Sequence, residues 1–220
     1  MRFFKDNGLS IVTFLLFVIF LWGTSLTGHR HYNEEQLDHG DEPVTYAEYL
    51  RSGEFLETTM ENWESEFLQM ALYVVLTAFL FQKGSAESKD PNKRESVDRD
   101  PWRVQIKDDT PWPVKKRGIA LKLYEHSLSI AFFLLFLMSF LLHARGGAIE
   151  YSQEQIEHGG EPVSTMAYLG TSRFWYESFQ NWQSEFLAVF AIVFLSIFLR
   201  QRSSPESKPV DAPHSDTGNS

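Results

Sequence analysis

Two carboxylates, Glu66 and Glu185, stand inside almost the same phrase, NWESEFL from Asn62 and NWQSEFL from Asn181, each at the head of a strongly apolar run. Two chemistries are open to a carboxylate placed there. Near a helix N-terminus, beside an interfacial Asn and Trp, it is favoured by the helix macrodipole and acts as an anchor. Drawn into hydrocarbon it is costly and marks an ion or proton path. Glu64 becomes Gln183 in the second phrase while Glu66 is kept as Glu185, and Gln69, Tyr73 and Thr77 follow Glu66 on one helical face. Those features favour a site. Ala188 and Ile192 replace Gln69 and Tyr73 in the second copy, with Ser196 matching Thr77, which argues against a polar path through the whole membrane. Asn62, Trp63, Asn181 and Trp182 are the expected interface anchors.

Histidine supplies a second candidate. His39 and His158 each precede a glutamate, Glu42 and Glu161, by three residues, a set that could converge on one cation of unspecified identity. The glycine between them breaks any shared helix and the spacing is not that of a catalytic zinc motif. Each histidine is therefore expected against the C-terminal carbonyls of its own helix. His29, His31 and His143 lack repeat partners and are expected on the outer surface. The chain has no cysteine, which removes thiolate ligands, disulfides and a cysteine nucleophile. It also has no glycine-rich nucleotide loop and no Ser-His-Asp arrangement, so no enzyme, no catalytic residue, no cofactor and no nucleic acid partner is expected.

The elements that must position these groups follow from the distribution of apolar residues. Mean composition, 43% hydrophobic and 22% charged, resembles a soluble domain, but the apolar residues concentrate in Leu9–Leu26, Phe67–Phe81, Leu128–Leu142 and Phe186–Leu199. Crossing a bilayer takes about 20 helical residues. With their flanks recruited, the four runs predict transmembrane helices at about 8–27, 62–82, 124–144 and 181–200. Arg2 and Lys5 before the first run also fit a cleaved signal peptide, but Leu9–Phe17 has a close copy at Leu128–Phe136, deep inside the chain.

Sliding the chain by 119 positions (66 to 185) aligns Leu9–Lys89 with Leu128–Lys208 without a gap, and about two-fifths of the aligned residues are identical. The expected fold is an all-α membrane protein of four transmembrane helices, built as two tandem, parallel two-helix repeats with short amphipathic helices in the outer loops. Repeat 1 occupies 1–89 with its outer loop at 28–60, a linker follows at 90–122, repeat 2 occupies 123–208 with its outer loop at 145–179, and 209–220 is expected to be a disordered tail. Most Lys and Arg fall in the linker and near the termini, which predicts cytoplasmic termini and a multi-pass protein of the cell membrane. Parallel repeats imply a pseudo-two-fold bundle. The charged, proline-rich stretch 84–116 is expected to be poorly ordered, with Lys115, Lys116, Arg117 and Lys122 beside Trp102 and Trp112 suited to anionic headgroups. The net charge of −9 sits largely on the outer loops.

Within those loops, Asn33 and Ser152 are expected as N-caps of short helices ending at Gly40 and Gly159, and Pro43 and Pro162 as first residues of second short helices, the first running to about Leu50 with Gly53 ending it. Phe174, Trp175, Phe179, Trp182, Phe186 and Val189 recur at helical spacing, so the last helix is expected to begin before Asn181.

The phrases HGDEPV, NWESEFLQ and GSAESKD, with their copies, resemble an uncharacterised family of bacterial integral membrane proteins known as a domain of unknown function. The resemblance implies a bacterial inner-membrane protein and carries over no catalytic residue. The expected function is binding or conduction of a cation or proton at a duplicated outer-face Glu/His site. The alternative is a structural or interaction protein whose outer loops dock a partner, and the expected partners are the lipid bilayer, a cation and a second copy of the chain.

Overall fold

The computed structural model describes residues 2–218, and among them the regular elements are helical. They are α1 (Arg2–Asp6), α2 (Gly8–His39), α3 (Tyr46–Tyr49), α4 (Gly53–Phe79), α5 (Trp112–Lys116), α6 (Gly118–Glu125), α7 (Ser127–Glu157), α8 (Thr165–Tyr168) and α9 (Ser172–Leu195), with a 3-10 turn at Ser96–Asp98. Two of them, α2 and α7, are long and apolar enough to cross a membrane. In the most apolar window of α2 only 6% of residues are buried, and in that of α7 17%. A helix from the interior of a soluble protein would bury that surface, because apolar area left in water costs about 25 cal/mol per Å².

The helices begin and end for local reasons that correct several expectations. The helix carrying Asn33 does not start there: α2 runs unbroken from Gly8, with no proline between Leu26 and Asn33 to stop it. It stops at Gly40, whose φ of 88° is left-handed, where the amides of Gly40 and Asp41 return to the carbonyls of Leu37 and Gln36. The same stop recurs in α7, with Gly159 at φ 78° and the amides of Gly159 and Gly160 on Ile156 and Gln155. Asn33 and Ser152 instead clamp the returning loop from mid-helix: each side chain accepts the backbone N–H of Val44 or Val163, at 2.8 Å in both cases. Pro43 and Pro162 lie before the next helices, which are capped by the hydroxyls of Thr45 and Ser164. Gly53 starts α4 rather than ending α3.

Consequently α4 and α9 begin well before Asn62 and Asn181, and they end at Phe79 and Leu195. Their apolar stretches, Phe67–Phe79 and Phe186–Leu195, are shorter than the α2 and α7 runs.

The chain divides into two compact units: unit 1 comprises Met1–Met60 and Leu141–Phe174, and unit 2 comprises Glu61–Phe140 and Trp175–Ser220. Each unit therefore draws on both halves of the sequence. The interior of unit 1 is aromatic, with Tyr49, Tyr168 and Phe174 almost wholly buried. Tyr49 packs on Tyr32 and Phe55 at ring separations of 5.7 and 5.4 Å, and Tyr168 packs on Tyr151 and Phe174 at 5.8 and 5.7 Å. These residues match one another at the 119-position spacing. Helix α4 approaches α7 closely at Gly53, where an added Cβ would lie 2.8 Å from the Gly146 carbonyl.

Unit 2 holds a second aromatic group, with Phe136 and Trp175 each 6.4 Å from Trp182 and Phe179 5.5 Å from it. The linker runs through turns and the 3-10 turn at Ser96–Asp98 and from Trp112 onward forms α5 and the start of α6. The segment 209–218, expected to lack fixed structure, is folded back. The buried ammonium of Lys208 donates to the carbonyls of Pro213, His214 and Asp216, and the Gly84 amide donates to Thr217 Oγ1. Three donors meeting three carbonyls satisfy the ammonium, which is what fixes a segment with no apolar period.

Candidate functional site

In unit 1 the first turns of α4 carry Glu57, and α7 carries His143 just after its apolar run. Both are deeply buried, His143 with no exposed surface and Glu57 with 4%. A carboxylate oxygen of Glu57 and a ring nitrogen of His143 lie within 4.8 Å of each other. Tyr168 Oη donates to Glu57 Oε1 at 2.8 Å, fixing the carboxylate, and Phe174 lies against the imidazole with a ring separation of 4.8 Å. Gly146 and Gly147 make the space: a Cβ on the first would meet the backbone of Glu57, and one on the second would collide with the Glu57 carboxylate and the Tyr168 phenol. Sequence elsewhere in unit 1 builds a matching tyrosine cradle with Gly28 under Tyr49. Here that cradle holds an acid and an imidazole.

Burying a carboxylate is expensive unless it is compensated by hydrogen bonds and an opposite charge. An imidazole and a carboxylate within this distance can jointly ligate a cation, since neutral imidazole and carboxylate are both ordinary donors to divalent metals. Tyr168 supplies the outer hydrogen bond that orients such a ligand.

The rim of this region is also titratable. Glu150 lies on α7 beyond the apolar run, half-buried, and burial together with the negative charges of Glu54 and Glu154 pushes its carboxyl up to about 7, with Arg173 opposing. Arg173 is itself engaged, its Nη1 donating to both oxygens of Glu154. Burial and the charge of Glu150 likewise push the Tyr32 phenol up to about 12.

The residues singled out in the sequence lie elsewhere. Glu66 is exposed and Glu185 half-buried, with the two within electrostatic range of each other in unit 2. The buried carboxylate of that phrase is Glu64, wholly excluded from solvent and accepting the indole N–H of Trp182 at 2.9 Å. Trp182 of the second phrase thus meets Glu64 of the first, while Glu66 stays exposed. Gln69 donates to the Glu185 backbone carbonyl at 2.7 Å, and Tyr73 donates to Glu87 Oε2 at 2.6 Å. Glu87, beyond the end of α4, is pushed up by burial, with Glu206 adding to the shift. His39, His158, Glu42 and Glu161 are all exposed, and His158 Nδ1 lies 2.7 Å from the Glu154 carbonyl at the end of its own helix. Of the histidines expected on the outer surface, His31 is exposed, His29 bonds the Val44 carbonyl at 2.9 Å, and His143 is buried. The physical reason for the last is the pair of glycines one turn on, which draw α4 and α8 over it.

Glu57 and His143 are not matched at the 119-position spacing, where Tyr176 and Thr24 stand instead. The signal that was available is a histidine closing an apolar run and followed by Gly-Gly.

Residues 1–219 match the family described as a domain of unknown function, DUF6766. The chain belongs to this family. No curated protein and no solved structure matches it. In this DUF6766 member, therefore, function is to be read from the geometry of the site alone.

Proposed function

We propose that the chain is a non-enzymatic, multi-pass membrane protein that binds a divalent cation at Glu57 and His143. The observation that carries this reading is the meeting of a carboxylate and an imidazole, both buried, where Gly146 and Gly147 let the Glu57 backbone and the Tyr168 ring come close to α7. Membrane residence is supported by the exposed apolar surfaces of α2 and α7. In this reading α4 and α9 cross as well, with the apolar residues Leu80, Phe81 and Ile197–Leu199 extending them, to give four spans in two parallel repeats. Both termini face the cytoplasm of a bacterial cell, as the Lys and Arg distribution favours.

The test is thermal unfolding of the full chain in detergent, with zinc, manganese, magnesium or a chelator, for the wild type and for Glu57→Gln and His143→Gln. A cation at a hundred times its Kd should stabilise the wild type by about 2.7 kcal/mol. The variants should unfold cooperatively without that gain. A wild type indifferent to every cation would favour a structural role, with the outer loops docking a partner.

A further inference from the structure

Two short helices precede the membrane-length helix α7. In α5 and α6, Val114 and Leu121 are buried, while Trp112, Ile119, Leu123 and Tyr124 are exposed at 63, 78, 59 and 45%. Ile119 and Leu123, four residues apart, share a face. Lys115, Lys116, Arg117 and Lys122 are all exposed, and no acidic residue interrupts them between Trp112 and Tyr124. The Lys116 ammonium sits 4.8 Å from the centre of the Trp112 ring. Arg117, at φ 56°, and Gly118, at φ 63°, turn the chain between the two helices. Only His126 separates α6 from α7, so a bilayer crossed by α7 must begin beside these residues.

We propose that α5 and α6 form a docking surface for anionic phospholipid headgroups, with Trp112, Ile119 and Leu123 entering the acyl boundary and the four cations meeting lipid phosphates. The proposal rests on the membrane-spanning reading of α7 and is independent of the Glu57–His143 site. Charge complementarity selects the occupant: four cations around apolar, amphipathic residues fit a negatively charged interface, where tryptophan is also favoured. A soluble anion would engage the cations but leave the exposed indole and aliphatic groups in water.

The experiment is hydrogen exchange across residues 112–125 of the full chain, in nanodiscs of phosphatidylcholine alone or mixed with phosphatidylglycerol. Each cation near an anionic surface gives roughly a five-fold gain in association, so partial engagement of four should slow exchange by about ten-fold or more when phosphatidylglycerol is present. High salt should reverse the gain, and a variant with Lys115, Lys116, Arg117 and Lys122 changed to Gln should lack it while remaining inserted. Equal exchange in both lipids, an equal response from the variant, or full protection by inorganic phosphate in phosphatidylcholine discs would overturn the proposal. A chain that washes off membranes at alkaline pH would overturn the membrane-spanning reading as well, which separates the two failures.

Discussion

Two tyrosine cradles lie within unit 1, one centred on Tyr49 and the other on Tyr168, and they differ chiefly in what they hold. In each, a tyrosine from a one-turn helix leans over a glycine, Gly28 or Gly147, and packs between a second tyrosine and a phenylalanine. The Tyr49 cradle is completed by the His29 ring at 5.7 Å, and His29 in turn bonds the Val44 carbonyl. In the Tyr168 cradle the phenol donates to Glu57, and His143 lies under Phe174. The residues that match at the 119-position spacing build both cradles, and the unmatched Glu57 and His143 bring an acid and an imidazole to one of them.

The strongest way to break that comparison is to empty the Tyr168 cradle. His143→Ala removes a wholly buried imidazole packed against Phe174 and is expected to cost about 2–5 kcal/mol, whereas Thr24→Ala at the matching position should cost less than about 1 kcal/mol. Equal losses in chemical denaturation would mean that the two positions are equally structural. Gly147→Ala comes next, at about 1–3 kcal/mol, because its methyl collides with Glu57 and Tyr168 together. Gly28→Ala meets the Tyr49 phenol alone and should lower the melting temperature less. Tyr168→Phe removes the donor to Glu57 and is expected to cost about 1.5–2 kcal/mol, with weakened cation affinity as the accompanying readout.

A pH titration sharpens the contrast at the rim. Glu150 holds its proton up to about 7 in the folded chain against 4.5 when unperturbed, so the folded state binds more protons than the unfolded state between those values. Its contribution is therefore full below about 4.5, declines as pH rises to about 7, and is flat above. The melting temperature should fall across that window in the wild type and lose this component in Glu150→Gln. Smallest of all, the pair Glu66→Gln and Glu185→Gln should change stability by no more than about 0.5 kcal/mol each and leave cation binding intact. Loss of binding in that double variant would return the site to the repeated phrase.

Much of the scaffold was legible in the sequence because it rests on local rules. The apolar runs of α2 and α7 and the left-handed glycines at 40 and 159 follow from residue type and spacing. Helix starts were harder to read. Asn33 carries the composition of a cap, yet its side chain clamps Val44, a contact made across eleven residues that no spacing rule announces. The choice between Glu64 and Glu66 was likewise hidden, because it depends on an indole N–H supplied 118 positions away by Trp182. His143 was visible as a residue but not as a buried one, since its burial depends on the close approach of α4 at Gly146.

The most direct measurement is elemental analysis of the full chain purified from membranes without chelator, comparing the wild type with His143→Gln and with the Glu66→Gln, Glu185→Gln double variant. The expected result is about one divalent metal ion per chain in the wild type and the double variant, and none above background in His143→Gln. A wild-type chain free of metal, or a His143→Gln chain that keeps it, would contradict the assignment of the Tyr168 cradle as a cation site.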